Sequence, residues 1–336
     1  MRDRKLKRNI TVMIIFAVLI VITFLISLNT GHIRLSPSEV INTLFGNGTN
    51  KQNLILFEFR LPRIVLSVLV GAALAISGTV LQGLSRNALA DPGILGINAG
   101  AGLMVLLYVA FFPAATGDSI LFLPILAWVG AAITATVIYL LSYKRGEGIS
   151  PTRLLLTGIA VAAGISAFTI VITLMLSPDD YQFVATWMAG SIWGSNWKFV
   201  MAFLPFLIVL LPFVMYKAPV LNILNMGDEL ANGLGVAVER ERRWLLFAAV
   251  GLAGTAVSVS GGIGFVGLIA PHLVRSLIGP KHQFLLPTVA LVGGLLVLIA
   301  DTIGRSILQP SEVPAGIVVA VIGAPYFLYL LARSKT

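Results

Sequence analysis

The stretch Asn225-Met-Gly-Asp-Glu-Leu-Ala-Asn-Gly-Leu-Gly235, set inside a polar interval from Lys217 to Trp244, decides how this chain is organised. It is the longest polar break among otherwise apolar segments, so it is the natural handle for another molecule. Asn225 or Gly227 can cap a short helix, Asp228 and Glu229 suit its positive first turn, and Gly233 or Gly235 can end it. Met226, Leu230 and Leu234 fall four apart with Ala231 beside them, which puts a small apolar stripe on a helix too short to stand alone. Such a helix must lie on a surface. It is either a linker on the membrane or a coupling helix that docks into a groove on a partner that drives it.

Outward from this interval the chain is apolar. Hydrophobic residues make up 57% of the 336 and charged residues only 11%, too little polar surface for a soluble fold. The composition defines an all-α integral membrane protein organised as a single transmembrane domain over residues 1–336, with no room for a large soluble domain. The net charge of +9 could suit nucleic acid, but its placement on alternate loops is that of membrane topology, so no nucleic-acid partner is expected. Cysteine is absent, which excludes a disulfide scaffold and thiolate chemistry.

Five Lys or Arg in residues 2–8 precede an apolar run from Ile10 to Leu28, which reads as a signal anchor with its N-terminus inside. A mixed outer segment covers residues 29–59. Further spans are expected near 64–84, 94–112, 120–142, 154–176, 199–215, 244–260, 263–277, 285–306 and 313–331, ten in all, at about 20 residues per crossing. Starting inside, ten crossings put both termini inside and divide the 23 Lys and Arg between 17 inside and 6 outside, as the positive-inside rule requires. The loop over residues 217–243 is then cytoplasmic.

Ser258-Val-Ser-Gly-Gly-Ile-Gly264 holds so much backbone freedom that a tight turn or broken helix is expected at Gly261, Gly262 and Gly264. Short spans interrupted by Gly or Pro occur where transporters open irregular backbone onto a pathway. A Gly-rich span followed by Asn87-Ala-Leu-Ala-Asp-Pro-Gly93 in the first half, and by Ala270-Pro-His-Leu-Val-Arg275 in the second, reads as an inverted repeat of spans two to five and seven to ten. Between Ser177 and Trp197 a segment too short to cross reads as an outer interfacial helix. Trp187, Trp193 and Trp197 there form an aromatic belt, or Trp187 and Trp193 form a gate with the glycines.

Several chemistries are missing. The dipeptide Gly-Lys does not occur, so the phosphate cradle of nucleotide hydrolases is absent. His32, His272 and His282 are scattered, no nucleophile elbow is present, and neither a catalytic metal nor a cofactor is expected. An enzyme is not expected on these grounds. Asp301 and Arg305, four apart, can pair on one helix face. A wall so poor in carboxylates argues against an ion-coupled carrier acting alone and for a pathway powered from elsewhere.

At this point the order of motifs is specific. Arg60-Leu-Pro-Arg63, Gly71 to Gly78 with Gln82, Asn87 to Gly93, Gly227-Asp-Glu-Leu-Ala231 with Leu234-Gly235, Gly264 to Arg275, Asp301 with Arg305, and Glu312-Val-Pro-Ala-Gly316 through Gly323-Ala-Pro325 follow one another along the chain. In this order the chain resembles the permease subunits of ABC importers for iron-siderophores, haem and vitamin B12. Ala88 stands where that family usually has Pro, and Lys281-His282 where Asp-His or Asn-His is commoner.

The resemblance implies ten spans per subunit, a second permease subunit, identical or paralogous, cytoplasmic ATP-binding subunits, an external solute-binding protein or lipoprotein, and a place in the bacterial cell membrane. It implies a ferric siderophore as cargo, with haem or vitamin B12 as alternatives. It identifies residues 225–235 as the helix that couples to the ATPase, through Gly227, Asp228, Glu229, Leu230, Ala231, Leu234 and Gly235. It further implies that Arg60, Arg63 and Arg305 receive carboxylates of the binding protein, so that reversing Arg60 and Arg63 to Glu should cut uptake and leave assembly intact.

Overall fold

A computed structural model describes residues 2–31, 35–112, 122–145, 148–192 and 194–333; Trp193 lies outside the described residues. Among the described residues fifteen α-helices run in the order α1 (Arg2–Asn29), α2 (Pro37–Leu44), α3 (Asn50–Asn53), α4 (Leu61–Ser85), α5 (Ile97–Phe111), α6 (Leu123–Ser142), α7 (Pro151–Thr173), α8 (Pro178–Met188), α9 (Trp197–Tyr216), α10 (Ala218–Leu224), α11 (Asp228–Gly233), α12 (Val238–Ser260), α13 (Val266–Ile278), α14 (His282–Ile307) and α15 (Ala315–Arg333). A π-helical turn, Leu54–Arg60, joins α3 to α4, and a two-stranded ribbon, β1 (Tyr143–Lys144) with β2 (Gly148–Ile149), joins α6 to α7. Over its described residues, each segment expected to span overlaps one of these helices, with the third, eighth and tenth beginning in irregular chain. Among the described residues, seven helices are long and apolar enough to cross a membrane, and three more, Ile97–Phe111, Val266–Ile278 and Ala315–Tyr329, are apolar but shorter. The chain is a multi-pass membrane protein of the all-α class.

Helix α4 is the axis. Eighteen of its 25 residues are buried, because glycines let its neighbours close on it. A Cβ on Gly71 would fall inside the shell of the Gly293 carbonyl on α14, and one on Gly78 inside that of the Gly267 carbonyl on α13. In lipid, where burying apolar surface gives little drive, such close backbone approach is what holds helices together. Ser77 Oγ adds a hydrogen bond to the Ala249 carbonyl of α12 at 2.6 Å. Helix α1 lies at the rim, with only 6% of its apolar window buried.

The segment expected only as mixed outer chain is ordered by local caps. Ser36 and Glu39 form a capping box at α2, and Thr49 and Gln52 form another at α3, each satisfying amides a short helix leaves open. Helix α8 starts on the Ser177 hydroxyl, which accepts from Asp180 N at 3.2 Å.

Candidate functional site

Three groups of candidate residues fall at three places along α4. Arg63 and Arg86 bracket this helix, which puts them about 35 Å apart at 1.5 Å per residue.

At the Arg86 end sits the polar interval. Gly227 opens α11 with φ +114°, a conformation that a side chain would strain. The chain leaves α11 through Gly235 at φ +81°, and Val236 N donates back to the Ala231 carbonyl at 3.0 Å, a glycine-dependent helix stop. Asp228 and Glu229 occupy the first turn as expected. Ala231 differs from the expectation that it sits beside the stripe: it is fully buried, whereas Met226, Leu230 and Leu234 remain 59%, 56% and 61% exposed. An apolar stripe is therefore presented outward from a helix whose other face is fixed.

The fixing was not legible beforehand. Arg242 Nη2 lies 2.9 and 3.0 Å from the two carboxylate oxygens of Asp228, while its Nη1 donates to the Ile149 carbonyl at 2.9 Å and to Glu239 Oε1 at 3.2 Å. Arg86, in the left-handed conformation that ends α4, pairs with the same Asp228. Lys217 Nζ reaches Glu241 at 2.7 Å. Asn222 accepts from His282 N at 3.0 Å and donates to Gln283 at 2.9 Å. The interval is thus tied to α4, α12, α14 and the β-ribbon. A display of Lys and Arg in a loop reads only as topology; no short-range spacing announces that Arg242 meets Asp228.

In the middle, the glycine run breaks the chain as expected. Helix α12 stops at Ser260, Gly261 takes φ +66°, and α13 begins after Phe265 at φ +65°. A Cβ on Gly261 would collide with the Trp187 carbonyl, and one on Gly262 would approach the Met188 carbonyl at 2.8 Å. Gly316 N donates to the Gly190 carbonyl at 2.9 Å. Gly261, Gly262 and Trp187 are therefore brought together where α8, α15 and the break meet; Gly264 faces open space. Trp197 stands apart, its Nε1 donating to the Phe57 carbonyl at 2.7 Å.

Below the break, Arg275 Nη1 donates to Gln82 Oε1 at 2.7 Å and Gln82 Nε2 to the Gly267 carbonyl at 3.1 Å, locking α13 to α4. In the loop after α4, Asp91 Oδ1 accepts from Gly93 N at 2.8 Å, yet burial pushes its carboxyl up to about 6. Because the folded value exceeds the ordinary 3.8, the folded state is favoured at low pH and loses stability as pH rises through about 6. The loss is about 3 kcal/mol at 1.36 per unit. Asp91→Asn keeps an acceptor for Gly93 and should flatten this dependence. Thermal unfolding in detergent from pH 4 to 8 checks it; a parallel fall in wild type and variant would contradict it.

At the far end the three arginines gather, but not as free cations. Arg60, Arg63 and Arg305 are 6%, 12% and 5% exposed. Arg63 is 2.8 Å from both Asp301 and Glu312, and Arg305 Nε is 3.0 Å from Asp301. Arg60 donates to the Leu28 carbonyl and Arg305 to Thr30 O and Ser27 Oγ. The pairing of Asp301 with Arg305 was readable from their spacing; the third member, Arg63, was not. This changes the expected outcome of charge reversal. A Glu at position 63 would set a third carboxylate beside Asp301 and Glu312 and leave Arg305 alone to balance them, a strongly destabilising change, so assembly would not survive it.

Apolar helices around a glycine-crossed axis, a mid-chain break and a braced loop define a polytopic permease. Residues 19–333 match the FecCD transport family, and the chain belongs to that family. It is 49% identical over 98% of its length to the iron(3+)-hydroxamate import system permease protein FhuG of Bacillus subtilis (strain 168), covering 99% of that protein. It is 40% identical to the hemin transport system permease protein HmuU of Yersinia pestis, covering 95% of this chain and 94% of the other. A solved inward-facing metal-chelate-type ABC transporter superposes with a TM-score of 0.84 at 32% identity, over 96% of this chain and 99% of that one.

Proposed function

We propose that this chain is the membrane subunit of a bacterial ABC importer that brings a ferric siderophore through the cytoplasmic membrane, driven by ATP hydrolysis on a separate subunit. It forms one permease domain over residues 1–336 that crosses ten times, with both termini and the loop 217–243 in the cytoplasm. Spans two to five and seven to ten form an inverted repeat, a reading supported by the short helices α5 and α13, each preceded by irregular chain. A second permease subunit, identical or paralogous, completes the pathway, and an external binding protein or lipoprotein delivers the cargo.

The observation that carries the drive is the outward stripe of Met226, Leu230 and Leu234 on a helix clamped from behind. An ATPase subunit that grips this stripe moves Asp228, and Asp228 moves Arg86 on α4 and Arg242 on α12 together. Helix α4 carries the displacement to α13 through the Gly78–Gly267 crossing and the Gln82–Arg275 bond. Helix α12 ends in the Gly261–Gly264 break against Trp187, so these residues, with Trp193, act as the gate. Bistable repacking of this kind amplifies a small push into alternating access.

Cargo follows the relatives: hydroxamate-type ferric chelates first, with haem or vitamin B12 as the alternative. Uptake of labelled ferric siderophore, haem and cobalamin by cells with and without this chain distinguishes them. A carrier driven by an ion gradient alone would transport after ATP is exhausted.

At the far end, the external protein docks on Arg60, Arg63 and Arg305 by exchange. Its carboxylate displaces Glu312, which lies 34% exposed on Arg63, while Asp301 stays bound. A half-exposed pair of this kind is worth about 0.2–1 kcal/mol. Glu312→Gln should therefore tighten binding of the external protein to the reconstituted permease about two- to fivefold. Unchanged or weaker binding in a surface-immobilised assay would remove the exchange.

A further inference from the structure

Along the outer face between α6 and α12 runs a cavity of about 560 Å³. Its base is made of small residues, Ala131 and Ala135 of α6 and Gly251 and Gly254 of α12, and Trp128 and Phe247 stand up on either side. At one end the apolar lining gives way to Arg240 and Arg243, beside Trp244 and Tyr139. We propose that this groove is a site for one anionic phospholipid, its acyl chain lying on Ala135 and Gly251 and its phosphate held by Arg240 and Arg243.

The dimensions fit. From Arg240 to Gly254 the groove follows fourteen residues of α12, about 21 Å at 1.5 Å each. That is close to one leaflet, half of a hydrocarbon core of about 30 Å plus its interface. Both helices are long and apolar enough to span, and Phe247 and Trp128 at the sides of the groove are exposed, which is the surface an acyl chain would cover.

The charge also fits. Among the described residues Arg240 meets no carboxylate, and Arg243 spends only its Nε, on the Glu239 carbonyl at 3.4 Å. The described acidic groups that line the adjoining hollow are already engaged: Glu239 by Arg242 at 3.2 Å, and Asp228 by Arg242 and Arg86. Two guanidinium groups whose Nη atoms are uncommitted among the described residues, at the end of such a groove, suit a phosphate, which Arg binds in a forked geometry. Trp244 and Tyr139 are the residue types that sit at headgroup level. A second, polar hollow of about 500 Å³ shares Arg240 and Arg243 and reaches Asp228 and Asn232. The headgroup therefore lies against the base of α11, where a lipid would stiffen the connection between the loop and α12.

The test uses the full chain in vesicles of phosphatidylcholine into which dibrominated phosphatidylglycerol or dibrominated phosphatidylcholine is titrated, with tryptophan fluorescence as readout. Trp128 and Trp244 line the groove and report its occupancy. The brominated anionic lipid should quench at a fivefold or greater lower mole fraction than the neutral one, since each cation near the surface contributes about 1 kcal/mol. R240Q/R243Q, both at exposed positions, should bring the ratio to one. Ala135→Phe, which fills the groove and leaves the arginines, should weaken quenching by the anionic lipid toward that of the neutral one. Equal quenching by both lipids in the unaltered chain, or a preference that survives R240Q/R243Q, would overturn the site. No ATP, cargo or binding protein is present, so this result is independent of the transport reading.

Discussion

Gly71→Leu is expected to prevent recovery of folded protein. At this position α4 and α14 touch backbone to backbone, so an added Cβ meets the Gly293 carbonyl and the Gly294 Cα rather than a side chain that can swing aside. Overpacking a core that can relax costs about 1–3 kcal/mol; here the helices themselves must part. Parting them would expose Val70, Leu74 and Val297, all buried, so the loss should exceed about 3 kcal/mol, a large share of the stability of a typical domain. Yield and monodispersity on size exclusion in detergent measure it, with Ala at the exposed Gly164, where nothing lies within 4 Å, as the control. Gly71→Leu with unaltered yield and thermal midpoint would show that α4 and α14 do not cross there.

Leu234→Asp should behave in the opposite way: a folded, monodisperse chain that no longer works. Leu234 is exposed in the isolated chain, so a carboxylate there costs the fold little. If the stripe is covered by the ATPase, the same carboxylate is buried unpaired at the centre of an interface, where truncating a single anchor costs about 2 kcal/mol or more. That corresponds to a partner affinity at least about thirtyfold weaker. Co-purified ATPase should fall accordingly and siderophore uptake should drop to background. Retention of normal amounts of ATPase subunit by this variant, with normal uptake, would remove α11 as the coupling element.

What the sequence could show and what it could not divide along physical lines. Apolar runs near 20 residues announced the spanning helices because lipid forces every backbone polar group into internal hydrogen bonds. The 225–235 helix was readable because Gly227, Asp228 and Gly235 each satisfy a local rule of helix ends. The same locality would have found α2 and α3, whose Ser36–Glu39 and Thr49–Gln52 boxes are four-residue signals, though the segment was read only as mixed. Long-range partners left no such trace. Arg242 grips Ile149, 93 residues away, and Arg63 grips Asp301, 238 residues away. The arginine cluster shows the consequence: its side chains were placed by motif and topology at one end, but their internal carboxylates turn charge reversal from a docking test into a folding test. The Gly-rich character of span two was visible in the sequence, while the pairing of its Gly71 with Gly293 of α14 needed the three-dimensional arrangement.

The claim on which the rest depends is that this permease has no drive of its own and is worked through α11. Its most direct test is accumulation of radio-iron-labelled ferric hydroxamate in proteoliposomes holding the chain with its co-purifying subunits, with the external binding protein supplied outside. Accumulation should require hydrolysable ATP at the face bearing α11, persist when ion gradients are collapsed, and vanish with Leu234→Asp. Accumulation driven by a proton gradient with no ATP-binding subunit present would contradict the account.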